Sequence, residues 1–465
     1  MTTWDVIVIG GGPAGHKAAV QAASLGRRVV LVEQERAVGG ECVRRGTIPS
    51  KTLKETATAL LGFQRRSGGV VEVTLAPQTQ LESLMVRKDQ VIAAHEAFMA
   101  DELAQAGVER VHGRAKFVGV RQVEVQAIAG TRTTLEAPLV VLATGSRPRT
   151  PPEIPVDHEH VLDSDSILSM TWLPKALTVL GAGVIASEYA SIFAALGVQV
   201  TMIDRGPRPV AFLDDELTMR FVKAFEGRGG RFLGEVQTRS VRFDGVSKVV
   251  TTLSDGTVVE SEKLLCALGR VANVGGLALE ATGLAVNARG LVEVDANCLT
   301  KVPGLYAVGD LIGPPSLASS SMEQGRRAVR HACGEPVGPP PELIPAGVYT
   351  IPEMSGVGLT EAQARANGPT LVGRANFDRL ARGQISAATD GLLKLVCDGA
   401  GRKILGVHVV SEGAAELVHL GQLALVAGLE VDTFVDGIFN FPTLAEAYRV
   451  AALDVVRQRT RASAH

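Results

Sequence analysis

The sequence predicts an α/β protein built on two copies of one strand-turn-helix-strand unit, with an α+β segment at its C-terminal end. Three observations carry this prediction. A β-branched run, Val6 to Ile9, breaks at Gly10-Gly11-Gly12-Pro13-Ala14-Gly15 into the Ala-rich stretch His16 to Leu25, which reads as buried strand, tight turn and helix. The pattern returns at Leu177 to Leu180, Gly181-Ala182-Gly183-Val184-Ile185-Ala186 and Ser187 to Leu196. From about Ile344 the chain changes to a run of alternating strands. At 465 residues it should hold about three domains.

The first unit has the spacing G-x-G-x-x-G. Gly10 allows the turn, Gly12 lets backbone approach a pyrophosphate, and Gly15 lets helix pack on strand. A phosphate would meet free N–H groups at the helix N-terminus, so Gly10, Gly12, Pro13, Ala14 and Gly15 are candidate binding residues. After Gly26 a second apolar strand, Val29 to Val32, ends in Glu33, an acid placed to accept from ribose hydroxyls. The second unit repeats this order: Gly197 turns the chain into Gln199 to Ile203, which ends at Asp204. Ala186 stands where the third glycine stood, a permitted variant. Gly181, Gly183 and Ile185 are its candidate binding residues, and two such units imply two dinucleotides.

The acid at the end of the second unit bears on which nucleotide binds there. Asp204 would accept from the 2′-OH of NAD and repel the 2′-phosphate of NADP, while Arg205 and Arg208 lie close enough to offset that charge. An acid with neighbouring arginines permits both. The two arginines read equally well as solvated turn residues.

Between the glycine turns, helical patterning runs from Leu53 to about Arg66, followed by a polar loop with Gly68-Gly69 and Pro77. An amphipathic stretch from Leu81 to Ala106 follows. Short alternating runs at Val108 to Val118 and Val123 to Val125 predict a small sheet. Leu139 to Ala143 is a further buried strand, ending at Thr144-Gly145-Ser146-Arg147-Pro148.

The segment Gly39-Gly40-Glu41-Cys42-Val43-Arg44-Arg45-Gly46-Thr47-Ile48-Pro49-Ser50-Lys51 resembles the redox-active stretch of the pyridine nucleotide-disulfide oxidoreductases, FAD enzymes that include lipoamide dehydrogenase and glutathione reductase. The resemblance implies that the first unit holds FAD and the second a nicotinamide nucleotide. It places Gly40, Glu41, Cys42, Thr47 and Lys51 at the flavin. Those enzymes carry Cys at both ends of C-x-x-x-x-C, whereas Thr47 stands at the second position here. A hydroxyl cannot pass electrons onward, and Cys42 alone closes no intramolecular disulfide.

Further motifs extend the resemblance along the chain. Ala143-Thr144-Gly145-Ser146 matches the family's crossover out of the FAD domain, and Gly269-Arg270 with Asn273 its exit from the nicotinamide domain. Leu305-Tyr306-Ala307-Val308-Gly309-Asp310 resembles the second FAD marker, in which Asp310 bonds the ribitol or pyrophosphate side, and Pro315 to Ala318, with Leu317 and Ala318, would bring backbone to the isoalloxazine. The implied domains are 1–149 with 271–343 for FAD, 150–270 for NAD(P), and 344–465 for an interface or dimerisation domain. Disulfide reductases end in H-P-T-x-x-E, whose His is the acid/base for the thiols. Phe441 replaces that His in Phe441-Pro442-Thr443-Leu444-Ala445-Glu446, and Thr443 with Glu446 reads as a capping box opening the last helix.

What remains is hydride chemistry. Lys51 resembles the family lysine near flavin N5 and Glu188 its ion-pair partner, a pair that could stabilise charge on reduced flavin or merely join two domains. With Asp163-Ser164-Asp165-Ser166-Ile167-Leu168, Glu188-Tyr189-Ala190-Ser191-Ile192-Phe193 and Ala447-Tyr448-Arg449, the pattern is most similar to the soluble Si-specific pyridine nucleotide transhydrogenases. That family passes hydride between NADPH and NAD⁺ through FAD in a ping-pong cycle and forms large homo-oligomers in the cytoplasm. Three alternatives stay open: an NAD(P)H oxidoreductase acting on quinones or oxygen, a single-cysteine reductase using Cys42, and a non-enzymatic FAD-binding subunit.

Composition removes other classes. Lys and Arg total 47 against 49 Asp and Glu, which leaves no basic footprint for nucleic acid or an acidic membrane surface. Five scattered cysteines, Cys42, Cys266, Cys298, Cys333 and Cys397, suit a reducing compartment, and no spacing suggests a metal. The first strand begins at once, leaving no room for a signal peptide, and no uncharged apolar run reaches transmembrane length. Among the nine histidines none stands out; His16 reads as a helix-face residue, and His408 and His419 as interface-domain residues.

Overall fold

The structure, a computed structural model, describes residues 2–67 and 77–462; the polar loop with Gly68-Gly69 lies outside the described residues. Contacts divide the chain into two compact units. The first comprises Met1–Thr52, Met85–Arg149 and Gly269–Pro340, the second Leu53–Leu84, Thr150–Leu268 and Pro341–His465.

In the first unit a five-stranded parallel sheet runs Leu305–Ala307, Leu139–Leu142, Val6–Ile9, Val29–Glu33, Glu109–His112 in spatial order. Val6–Ile9 is central and all four residues are buried, which is why it reads as an unbroken apolar run rather than an alternation. Its side chains alternate between two cores. Val6 and Val8 pack with Ala14, Ala18 and Ala22 of the helix Pro13–Ser24 and with Ala328 of the helix Ala318–Ala332. Ile7 and Ile9 pack with Phe117, Val123 and Leu135 of a four-stranded sheet made by Thr2–Thr3, Arg132–Glu136, Gln122–Gln126 and Arg114–Gly119. The two helices approach backbone to backbone, because a Cβ on Gly325 would overlap the Ala14 carbonyl.

The run Val108 to Val118 does not lie in one small sheet. Gly113 breaks it, donating its N–H to the Glu33 carbonyl at 2.9 Å, so that Glu109–His112 joins the parallel sheet and Arg114–Gly119 the four-stranded one.

The second unit begins with a parallel sheet ordered Val161–Leu162, Lys263–Cys266, Ala176–Leu180, Gln199–Ile203, Arg231–Leu233, and a three-stranded antiparallel sheet of Thr238–Phe243, Val249–Leu253 and Val258–Ser261. Its C-terminal part is an antiparallel sheet of Ala346–Val348, Glu353–Gly358, Ile404–Ser411, Leu392–Asp398 and Thr370–Asn376. The helices Ala414–Val426 and Ala447–Ala462 share its core through Val418, Ala424, Tyr448 and Ala451. The capping box expected at Thr443 and Glu446 is not formed. The last helix starts at Ala447, and the Thr443 hydroxyl donates to the Asn440 carbonyl at 2.8 Å within its own turn. A capping box occurs instead at Thr360 and Gln363. Among the described residues no helix is long and apolar enough to cross a membrane.

Candidate dinucleotide sites

The two glycine turns are near copies of each other. Gly10 and Gly181 both have a left-handed backbone, φ +102° and +103°. The residues before the two helices, Gly12 and Gly183, match as closely, at φ −71°, ψ −176° and φ −72°, ψ −172°. Each strand-end acid holds the turn from behind. Glu33 Oε2 accepts from the Gly11 N–H at 2.7 Å and Oε1 from the Glu35 N–H at 2.9 Å. Asp204 Oδ2 accepts from the Ala182 N–H at 2.9 Å and Oδ1 from the Gly206 N–H at 2.7 Å. Each carboxylate oxygen has a second lone pair for a ribose hydroxyl. Burial pushes the Glu33 carboxyl up, and the N–H groups of Glu35 and Gly11 only partly offset it.

Neither helix N-terminus is capped by a side chain, so its first N–H groups and the positive end of its dipole face outward. A Cβ on Gly183 would meet nothing within 4 Å, and one on Gly12 only the Gly40 Cα at 3.8 Å. These cradles fit a pyrophosphate. The third glycine differs for a local reason: a Cβ on Gly15 would overlap the Gly10 carbonyl, while Ala186 is accommodated fully buried.

Around the first turn the expected FAD residues come together with two that sequence reasoning missed. Arg270 donates to the Ser146 hydroxyl at 2.7 Å and the Ser146 carbonyl at 2.8 Å, and the Ser146 hydroxyl donates to Asp310 at 2.5 Å. Arg270 and Ser146 lie inside the two marker motifs, beside Gly269 and Gly145. Thr144 and Asn273 exchange hydrogen bonds of 2.7 and 3.1 Å, and Ser146–Pro148 pairs antiparallel with Arg270–Ala272. Gly145, at φ +67°, lies between them. The Gly309 N–H donates to Gln324 at 2.9 Å, and the helix beyond Leu317 starts at Ala318 with no side-chain cap. Glu41 Oε2 is buried without a hydrogen bond among the described residues and faces the Arg270 guanidinium at 3.7 Å. The uncapped helix ends, with a Glu41 oxygen that still lacks a hydrogen bond, fit an FAD.

Cys42 is half-buried, and burial pushes its thiol up more strongly than the Thr47 hydroxyl and the Lys51 charge pull it down. A thiol so placed is a poor nucleophile at neutral pH. The Lys51 ammonium lies 3.4 Å from the Ser50 hydroxyl. Gly269, expected at the nicotinamide site, falls by its contacts in the first unit, and its carbonyl accepts from the Arg149 N–H.

In the second unit Glu188 is buried and accepts from the Tyr349 N–H at 2.9 Å; Ile185 sits half-buried on the helix's first turn. Arg205 is exposed beside Asp204. Arg208 does not face the nucleotide turn. It donates to the carbonyls of Ala211 and Leu213 at 2.8 and 3.0 Å and to the Thr218 hydroxyl at 3.3 Å, and pairs with Asp215 at 2.6 Å. Its fork is taken up in closing its own loop. Phe441 is 72% exposed, and Glu446 Oε2 is buried without a hydrogen bond among the described residues, so no imidazole–carboxylate pair forms there. His16 is buried, its Nε2 3.1 Å from the Met99 carbonyl.

Residues 4–331 match the pyridine nucleotide-disulphide oxidoreductase family and residues 344–452 its dimerisation domain. The chain is 40% identical over 462 residues to a soluble pyridine nucleotide transhydrogenase of Mycobacterium bovis, covering 98% of each chain. It is 38% identical over 457 residues to one of Pseudomonas aeruginosa, covering 97% of this chain and 98% of that one. Among solved structures it resembles LpdA from Mycobacterium tuberculosis, with a TM-score of 0.89 and 28% identity over 97% of this chain and 99% of that one. It also resembles the HOCl-induced flavoprotein disulfide reductase RclA from Escherichia coli, with a TM-score of 0.87 and 25% identity over the same shares.

Proposed function

The chain belongs to the pyridine nucleotide-disulphide oxidoreductase family, and from that premise we propose that it is an FAD-dependent transhydrogenase, moving hydride from NADPH to NAD⁺ to leave NADP⁺ and NADH. The observation that carries this reading is a duplicated nucleotide turn, with matching backbone angles at its glycines, in a chain whose relay positions hold Thr47 and Phe441. FAD, when bound, supplies the carrier that accepts hydride from one nicotinamide nucleotide and returns it to another.

The protein's own residues bind and orient. The N–H groups beyond Gly12 and Gly183 hold pyrophosphates, while Glu33 and Asp204 accept from ribose hydroxyls. Asp310, held by the Ser146 hydroxyl that Arg270 in turn supports, and Glu41 face the ribityl side of the flavin. Leu317 and Ala318 bring backbone to its ring, and Cys42 and Thr47 line it without taking electrons. Lys51 and Glu188 are assigned as the pair that offsets negative charge on the reduced ring. Hydride transfer between like nucleotides needs no external acid, which accords with the missing imidazole.

Asp204 favours NADH, and Arg205 lets NADPH share the site. Exposed Leu423, Val426, Ile438 and Phe441 in the segment matching the dimerisation domain support a homodimer or larger homo-oligomer. Cytoplasmic location is part of the same reading.

The test is anaerobic. The purified flavoprotein is reduced with NADPH, then NAD⁺, lipoamide and a quinone are added separately. Fastest reoxidation by NAD⁺ is expected; fastest reoxidation by lipoamide or by the quinone would overturn the assignment.

A further inference from the structure

The second nucleotide turn is held by a residue whose backbone is strained. Val210 is buried, and its φ of +47° lies in the left-handed region, where a β-branched side chain is an outlier. Its N–H donates to the Ala182 carbonyl at 2.8 Å, inside the turn Gly181-Ala182-Gly183. The first unit has the same bond: the Gly39 N–H donates to the Gly11 carbonyl at 2.8 Å, from a residue at φ +117°. There glycine adopts the left-handed backbone without cost; in the second unit valine does it under strain.

The consequence follows from peptide planarity. In a trans peptide the carbonyl of Ala182 and the N–H of Gly183 point in opposite directions. Anchoring the carbonyl on Val210 therefore turns the Gly183 N–H outward, and no acceptor among the described residues takes it up. The Ala182 N–H is already committed to Asp204, and the Ser187 hydroxyl adds a longer bond of 3.3 Å to the Ala182 carbonyl.

The loop bearing Val210 is itself clamped. Arg208 closes it on one side. On the other, Asp214 caps the helix Asp215–Glu226 through the Glu216 N–H at 3.1 Å and accepts from Lys394 at 2.7 Å and the Glu361 N–H at 3.1 Å, with Asp214 and Lys394 both buried. Strain of this kind persists only where surroundings over-determine it.

We propose that Val210 is a positioning residue of the second dinucleotide site, its N–H holding the Ala182–Gly183 peptide so that the Gly183 N–H meets the pyrophosphate of NADH and NADPH alike. This rests on the reading that a nicotinamide nucleotide binds at Gly183.

The experiment uses the full-length holoenzyme and three variants: an amide-to-ester exchange at Val210, which replaces the N–H by an oxygen and keeps the side chain; Val210→Gly, which keeps the N–H and removes the strain; and Gly183→Val, which fills the open cradle. Dissociation constants for NADH and NADPH and the limiting rate of flavin reduction are measured. The ester should weaken both nucleotides by about tenfold, the loss expected for one well-placed hydrogen bond, without changing their ratio, flavin content or limiting rate. Val210→Gly should bind within about threefold of wild type, and Gly183→Val should abolish binding.

An ester variant that binds like wild type overturns the proposal. So does Val210→Gly losing as much as the ester, which would assign the effect to side-chain packing; that variant decides alone if the ester protein does not accumulate. Unchanged binding in Gly183→Val would remove the site reading itself and the proposal with it.

Discussion

Gly40 is the position at which one methyl group should do most harm to flavin binding. Its φ is +57°, and a Cβ there would lie 2.9 Å from the Gly12 Cα and 3.5 Å from the Gly12 nitrogen. Unbonded carbons settle at about 3.5–4.0 Å, so Gly40→Ala must displace Gly12 by roughly 0.6 Å or more, at the residue that opens the pyrophosphate cradle. The left-handed backbone costs an alanine about 1 kcal/mol, and overpacking against backbone adds about 1–3 kcal/mol. The FAD-bound state requires the undisplaced turn, so even about 2 kcal/mol lowers FAD affinity about thirtyfold. Fluorescence titration of the apoprotein with FAD measures this. Gly107→Ala is the control: φ is +73° with no atom within 4 Å of the added Cβ, so it should lower the melting temperature and leave FAD affinity alone. A Gly40→Ala protein whose FAD dissociation constant stays within about threefold of wild type would refute the steric reasoning.

Other expectations follow from the same contacts. Cys42→Ser should keep at least about half of the NADPH-to-NAD⁺ rate, and the wild-type thiol, raised by burial, should react with iodoacetamide at pH 8 more slowly than free cysteine. Loss of both nucleotide transfer and disulfide reduction in that variant would point to a thiol enzyme. Asp204→Ala should weaken NADH more than NADPH and Arg205→Ala the reverse. Arg208→Ala should cost about 1–2 kcal/mol of stability at an unchanged ratio of the two nucleotides, and a shifted ratio would return Arg208 to the site. Burial of Glu361 opposes its charge, yet hydrogen bonds from Lys394 and Arg365 outweigh it and hold the carboxyl at about 2, below the ordinary 4.5. Its contribution to stability is therefore complete above about pH 4.5 and lost as pH falls towards 2. Glu361→Gln should flatten the decline of melting temperature between pH 5 and 2.5, and parallel curves for the two proteins would contradict this.

The amino-acid sequence alone determined the two strand-turn-helix-strand units, the acids that end them, and the absence of a dithiol relay. All three are matters of local spacing. Val6–Ile9 and Leu177–Leu180 are buried on both faces and so show as apolar runs, the second broken only by Thr178, while Gly10 and Gly181 occupy backbone that other residues rarely adopt. Tertiary structure decided what depends on groups far apart in the chain. Arg208 is three residues from Arg205, yet one closes a loop and the other is exposed, and only the positions of Leu213, Asp215 and Thr218 separate them. Ser146 and Arg270, 124 residues apart, form the support of Asp310, and Glu109–His112 changed sheets because the Gly113 N–H found the Glu33 carbonyl. Charge and polarity are written residue by residue, but the partner that satisfies a buried hydrogen-bonding group is chosen only when distant segments pack.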